Sequence, residues 1–576
     1  MDHIIRRFNN LILLGSGPKT KITMKTTFLL RNTIVCTVLL ALFSCQTKMK
    51  PDVPHLKKQG NVTQLIVRGK PFLILGGEVH NSSSSSLDYM KPVWPKLAKM
   101  HLNTVLVPLS WEQFEPTEGK YDYSLVDGLI SDARQHNLRI VFLWLATWKN
   151  GNSTYAAGWV KTDQKRFPLV KDKDGNTLEI LSTLGEETCK ADSRAFTALM
   201  KHIRETDAER QTVLMIQVEN EVGMHSDSRD RSDVANQAFA QAVPQDLMDY
   251  LQKHKENLLP ELLDVWKTTN YRTSGTWEEV FGQSPAADEI FMAWNYARFI
   301  NRVAEAGKAE YSLPMYVNAW LVQPQDKVPG DYPSGGPVAH VHDIWRAGAP
   351  QIDILSPDIY VPDFNGTVKL YSRGGNPVFI PESRGGNIGA ANAFFAIGQY
   401  GSIGYSPFGI DKENENSALS GAYSVLSQLS PLILKSQGTG TIGAVSLNRT
   451  HSADTLEIAD YKICVTIRRN ILNLNDKPES GYGMIISIGP DEFIASGNDI
   501  NITFKPANSD SIAGLLSVEE GKFVNNSWVK GRHLNGDEVQ LRYDLGVAAK
   551  ERQSGAGLQF PSNLFSIQKI KLYKYK

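Results

Sequence analysis

Between residues 72 and 434 the chain alternates eight short apolar runs with longer helical stretches, and this order limits the fold more than any other feature. The first run is Phe72-Leu73-Ile74-Leu75, continuing through Gly76-Gly77 to Glu78-Val79-His80. The second is Asn103-Thr104-Val105-Leu106-Val107-Pro108-Leu109, the third Arg139-Ile140-Val141-Phe142-Leu143-Trp144-Leu145, and the fourth spans 213–218. Met315-Tyr316-Val317-Asn318, Ile352-Asp353-Ile354-Leu355-Ser356, Val378-Phe379-Ile380 and Gly401-Ser402-Ile403-Gly404-Tyr405 complete the set. Near-continuous apolar runs suit strands of a parallel sheet covered on both faces. Strict strand-then-helix order selects a closed (β/α)8 TIM barrel with long loops over an open sheet. Helical spacing appears around Trp94, Leu97 and Met100, over 125–136, over 288–309, and over 417–434, which would close the barrel.

The pattern changes near Lys435. Ser436-Gln437-Gly438-Thr439-Gly440 reads as a linker, after which alternating runs take over: Ile463/Val465/Ile467, Met484/Ile486/Ile488, Ile500/Ile502/Phe504 and Ile567/Ile570/Leu572. Asn525-Asn526 and Asn535-Gly536 supply turns between strands. The expected class is therefore α/β, with a catalytic barrel over 59–435 and a smaller all-β sandwich domain over 436–576. No cluster of aromatics marks the second domain as a sugar binder, which favours a buttress for the barrel.

The N-terminal segment reads as an address. Met24-Lys25 and Arg31 precede an apolar stretch over 33–43, too short for a permanent membrane span. It ends Leu42-Phe43-Ser44-Cys45, which resembles a bacterial lipobox, so residues 1–45 read as an upstream extension plus a lipoprotein signal, with acylation expected at Cys45. Residues 46–58 read as a polar tether. The expected location is the bacterial cell envelope, attached to the membrane through the lipid alone. Only Cys189 and Cys464 lie beyond Cys45, in separate expected domains, which suggests neither a disulfide framework nor a zinc site. The 61 basic and 61 acidic residues cancel, so binding of nucleic acid by bulk charge is not expected.

Chemistry enters at two strand ends. Asn220-Glu221 follows the run 213–218 and its Glu219, and Pro377-Val378-Phe379-Ile380-Pro381 delivers Glu382 in the same way. A TIM barrel builds its active site from the C-terminal ends of its strands. Two carboxyl groups flanking one bond are the minimal equipment for hydrolysing a glycoside.

These residues also carry a resemblance. Asn103-Thr104-Val105 with Pro108, Trp111, Glu115-Pro116, Gly119 and Tyr121-Asp122-Tyr123 resembles the second-strand signature of β-galactosidases in glycoside hydrolase families 35 and 42. Gln217-Val218-Glu219-Asn220-Glu221-Val222-Gly223 is similar to the family 35 acid/base motif, with Val222 where an aromatic is usual. The likeness spans roughly 60–430 and extends to family 35 members with a C-terminal β-domain. It implies a retaining exo-β-galactosidase with Glu221 as acid/base, Glu382 as nucleophile and Asn220 on the sugar 2-hydroxyl. Tyr360, ending Ser356-Pro357-Asp358-Ile359-Tyr360, would orient the nucleophile. One departure stands out: Ala146-Thr147-Trp148 replaces the family's Ala-Glu-Trp, whose Glu touches galactose.

Glu78 and His80, at the end of the first strand, are candidate sugar ligands, and Trp148 is a candidate platform beside Trp144, Trp159, Trp294 and Trp320. Glu219 reads as a structural partner one layer below Glu221 on the same face. Glu115 reads as a loop anchor. His340 and His342 lack a third ligand, and Asp227, Asp230 and Asp233 fit no calcium loop, so no metal or other cofactor is expected. The expected partner is a glycan containing β-linked galactose. The alternatives are another retaining specificity, such as a β-glucosidase or endo-hydrolase, and a non-catalytic glycan-binding lipoprotein.

Overall fold

A computed structural model describes residues 53–468, 478–508, 510–539 and 556–576. Cys45 and its signal-like context lie outside the described residues. All eight expected strands form: β1 (Ile74–Leu75), β2 (Thr104–Ser110), β3 (Arg139–Lys149), β4 (Val213–Asn220), β5 (Met315–Trp320), β6 (Ile354–Ile359), β7 (Glu382–Ser383) and β8 (Gly404–Tyr405). Strands β2 to β7 pair in parallel in chain order, and β8 pairs in parallel with β1. The remaining gaps close through single bridges, Glu78 to Leu106 beside β2 and Ile380 to Tyr405 at β8. The ring is a (β/α)8 barrel. Strand β7 begins later than the apolar run 378–380 suggested, because Pro377 and Pro381 flank that run and proline has no N–H to give to a ladder.

Two apolar layers hold the ring. The lumen is filled by Ile74, Leu106, Val141, Leu143, Leu145, Leu214, Met215, Tyr316, Ile354, Phe379 and Ile403. Outside, the helices Glu186–Asp207 and Pro285–Glu310 pack on the strands and on each other, with Gly307 allowing Phe196 to approach. The longer helix starts with proline at its first turn, where a missing N–H costs nothing.

The expected tether differs from the structure. His55–Gln59 is a strand, paired antiparallel with Val62–Val67, which in turn pairs with Lys70–Phe72. Leu65 and Val67 of this small sheet join the lumen cluster, and Arg68 N–H donates to Gln211 just before β4. The sheet thus caps the N-terminal end of the barrel. The polar sequence of His55–Gln59, which has no buried residue, hid the strand.

Beyond the closing helix Ala418–Ser436, two antiparallel sheets form the β-domain. A six-stranded sheet begins with Ile442–Asn448 and ends its strand order with Ser527–Leu534; a four-stranded sheet carries Tyr461–Ile467 and Ile500–Pro506. Val445, Ile463, Val465, Phe493, Ile502, Phe504 and Leu558 fill the space between them. Asn525 and Asn526 both take positive φ in the two-residue turn between the long strands, the geometry a tight hairpin demands. The opposite face of the six-stranded sheet presents Ala444, Met484, Ile486 and Ile494 to the barrel's apolar cluster. Gly398 in the helix Gly386–Tyr400 lets Ala444 and Met484 come close. This face buttresses the barrel. Both Cys189 and Cys464 are free thiols.

Candidate active site

Acidic side chains converge at the C-terminal ends of the strands. One carboxyl oxygen each from Glu221, Asp358 and Glu382 lies within 4.8 Å of the others, and all three residues are buried. Glu221 follows β4, Asp358 lies on β6, and Glu382 opens β7, where the sheet register sets it directly beside Asp358. Each carboxyl is held by a named donor. Tyr360 OH donates to Glu382 Oε1 at 2.7 Å, and Asn150 Nδ2 donates to Glu221 Oε2 at 2.6 Å. Asn318 on β5 accepts the Glu221 N–H through Oδ1 at 3.0 Å and donates through Nδ2 to Asp358 Oδ2 at 2.5 Å.

The backbone at the end of β4 is strained. Glu219 and Glu221 take φ of 63° and 45°, which non-glycine residues rarely adopt. The twist separates the two carboxylates that simple alternation would align. Glu219 turns into the protein, where it accepts the N–H groups of Thr147 at 3.2 Å and Trp148 at 2.7 Å and meets Asp192 of the helix Glu186–Asp207. It is a structural partner, as its sequence suggested, but it does not share a face with Glu221.

Charge crowding sets the protonation states. Burial first, and then the Glu382 carboxylate, push Glu221 up to about 7, against the opposing field of Lys149 and the hydrogen bonds from Asp358 and Asn150. Burial also raises Glu382, but Lys149 and the Tyr360 hydroxyl oppose it. Burial pushes Asp358 and Glu78 well above the usual carboxylate range, reinforced by the neighbouring carboxylates. Lys149 is buried at the end of β3 and supplies the positive field that keeps the cluster from full neutralisation.

The other expected site residues divide. Asn220 ends β4, is buried, and neither its Oδ1 nor its Nδ2 has a partner among the described residues. Glu78 lies enclosed at the floor, its oxygens likewise without a donor, and it reaches Glu382 by its field. His80 stands at the rim, its Nδ1 at 2.8 Å from Asp411 and its ring edge-on to Phe408. Trp148 is a correction. It is fully buried, its Nε1 donates to Leu181 O at 3.0 Å, and it packs edge-on to Tyr296 and Phe299 in the helical layer. Trp148 keeps the outward parity of Trp144, and Lys149 the inward parity of Val141, Leu143 and Leu145. Thr147 faces Asp192 through its hydroxyl, which places the departure from Ala-Glu-Trp outside the carboxyl cluster. Of the tryptophans, Trp320 ends β5 with an exposed face, beside His225. Glu115 anchors its loop, accepting Trp111 Nε1 and Gly119 N–H.

Asp358, Lys149 and Asn150 were missed as site residues. Asp358 had one usable signal: it lies two residues before Tyr360, which directly follows β6, so both fall on one face of the extended chain. Lys149 had a similar one, since it shares the parity of the lumen residues Val141, Leu143 and Leu145 on β3.

The model of the glycoside hydrolase 42 family, described as β-galactosidase, matches residues 88–312, a stretch that includes Glu221. A domain of unknown function (DUF5597) matches residues 419–545, from the barrel-closing helix into the β-domain. No curated protein matches the chain. Solved structures similar to it include a β-galactosidase from the psychrophilic Marinomonas ef1, at 14% identity and TM-score 0.42, covering 64% of this chain and 60% of that one. A β-galactosidase from Rahnella sp. R3 has 15% identity and TM-score 0.43, covering 63% and 57%. A β-mannanase from the blue mussel Mytilus edulis has 14% identity and TM-score 0.38, covering 67% and 98%. This chain therefore spans about three-fifths of the length of the Marinomonas enzyme. The matched stretch ends before β5, so of the carboxyl pair at the strand ends it holds Glu221 and not Glu382.

Proposed function

We propose that the protein is a retaining, exo-acting β-galactosidase that removes terminal β-linked galactose from glycans. The observation that carries the mechanism is the separation of the two carboxyls. Oxygens of Glu221 and Glu382 lie within 4.8 Å of each other. Retaining enzymes hold the pair about 5–5.5 Å apart, whereas inverting enzymes need about 6.5–9.5 Å to admit a water. Glu382, ionised beside Lys149 and oriented by Tyr360, attacks the anomeric carbon. Glu221 protonates the leaving oxygen and then takes a proton from the water that hydrolyses the glycosyl-enzyme. Asn220, with both amide atoms free to bond, holds the 2-hydroxyl, and Trp320 offers its face to the sugar.

Galactose as the glycone draws support from the β-galactosidase family match and from the sequence signatures. An aryl β-galactoside should be cleaved at least ~100-fold more efficiently than the β-glucoside, because a mispaired 4-hydroxyl leaves buried polar groups unmatched. The Glu382→Ala variant should lose turnover, and added azide should restore it while forming a glycosyl azide of inverted configuration. Near-normal Glu382→Ala activity would remove Glu382 from the nucleophile role, and equal rates on both sugars would replace the galactosidase reading with a broader one. Activity should fall as pH rises through about 7, where Glu221 gives up the proton it must donate.

We also propose that acylation at Cys45 anchors the enzyme to the bacterial envelope. Cys45→Ala should release active enzyme from the membrane fraction; unchanged sedimentation with membranes would reject acylation there.

A further inference from the structure

The third carboxyl of the cluster, Asp358, has no part in a two-carboxylate mechanism, yet its surroundings specify its protonation. Asp358 is buried on β6 and shares a registered pair with Glu382. Its Oδ2 accepts from Asn318 Nδ2. The orientation of that amide is fixed, because Asn318 Oδ1 already accepts the Glu221 N–H. Asp358 Oδ2 must therefore be an acceptor. Its Oδ1 is buried and meets no donor among the described residues, and the group that faces Asp358 is the Glu221 carboxyl. Two acceptors in contact without a proton would repel in a buried site. A proton on Asp358 Oδ1 gives every atom of the Glu221–Asp358–Asn318 triangle a partner.

We propose that Asp358 is a positioning residue that stays a neutral acid through the cycle and donates a hydrogen bond to the Glu221 carboxylate. The inference rests on Glu221 being the acid/base. When Glu221 passes its proton to the leaving oxygen, Asp358 keeps its own, so the pair carries one negative charge and not two. The same hydrogen bond holds Glu221 in place while it removes a proton from the incoming water. The surroundings fit a proton that is never released. Asp358 faces Glu78 from beyond β1, Glu221 just after β4, Tyr316 on β5, Tyr360 just after its own strand, Glu382 on β7 and Tyr371 at the end of the helix Phe364–Tyr371. Lys149 from β3 acts on the glutamates. Burial and three neighbouring carboxylates oppose ionisation of Asp358, while Lys149 and the Asp358 hydrogen bond favour ionisation of Glu221.

The test compares wild type, Asp358→Asn and Asp358→Ala on aryl glycosides of the preferred sugar, one with a p-nitrophenyl and one with a more acidic dinitrophenyl leaving group. Asparagine can still accept from Asn318 and donate to Glu221. Its variant should keep the basic limb of the kcat/KM profile within about half a pH unit of wild type. Alanine removes the donor. That limb should then move up by about one unit, with roughly a 10–100-fold loss on the p-nitrophenyl glycoside. The dinitrophenyl glycoside needs little protonation and should lose far less. A downward move of the limb in Asp358→Asn would show that Asp358 is ionised in the resting enzyme and overturn the proposal. Equal losses on both leaving groups in Asp358→Ala would reduce Asp358 to a packing residue and overturn it as well. If Asp358→Ala does not fold, the direction of the limb in Asp358→Asn decides alone. Wild-type inactivity on every aryl glycoside would sink the glycosidase reading itself, a result separate from either outcome.

Discussion

At the N-terminal end of the barrel, Leu65 and Val67 of the small leading sheet meet Ile74, Leu106 and Ile403 in a dry apolar cap. At the C-terminal end of the same eight strands, Glu78, Glu221, Asp358 and Glu382 crowd together with Lys149, and several of their oxygens find no donor among the described residues. The same strands pass through both environments within a few residues. Apolar burial at one end stabilises the ring at about 25 cal/mol per Å² of buried surface. Burial of like charges at the other end works against folding, and only a function that uses those charges accounts for keeping them. The positive φ values at Glu219 and Glu221 belong to the same pattern, since strain gathers where geometry must be exact for chemistry.

Three substitutions would break or sharpen this contrast. The largest effect on stability should come from the cap. Leu65→Ala empties a fully buried site and should cost about 2–5 kcal/mol in denaturant unfolding, with kcat per folded molecule unchanged. A fall in kcat at constant folded fraction would mean that the two ends are coupled.

At the acidic end the sign should reverse. Burial raises Glu78 well above the usual carboxylate range. The folded state therefore keeps this proton at pH values where the unfolded chain has lost it. Stability then falls as pH rises from the ordinary carboxylate range through the folded value. Glu78→Gln cannot ionise, so it should stabilise the fold at pH 8 and make little difference at pH 4. Unfolding midpoints at the two pH values check this, and a destabilised variant at pH 8 would show that the Glu78 charge has a compensating partner. The smallest effect is expected at the rim. Trp320→Ala removes an exposed aromatic face and should raise KM roughly three- to tenfold through lost stacking, leaving the unfolding midpoint in place. An unchanged KM would take Trp320 out of the sugar site.

Much of this architecture was legible in the chain. Eight apolar runs in strict alternation with helices determine a barrel, because each run must be covered on both faces and each return needs a helix. Strand ends could be located, and with them Glu221, Glu382 and Tyr360. The loss of helical periodicity after Lys435 marked the β-domain. What the sequence could not determine was decided by closure of the ring and by local departures from regular strand geometry. Thr147 leaves the inward parity of Leu143 and Leu145 to meet Asp192 where the β3 register shifts, while Trp148 and Lys149 keep the outward and inward faces that alternation assigns them. Glu219 leaves the face of Glu221 because two left-handed residues break the alternation. Asp358 meets Glu221 only when β4 and β6, separated by β5, bend into one curved wall bridged by Asn318. The first strand of the leading sheet, His55–Gln59, has no buried position, so its pattern resembles a tether until its partner strand exists. Periodicity reports that a strand is present; which groups share its mouth depends on contacts between residues far apart in the chain.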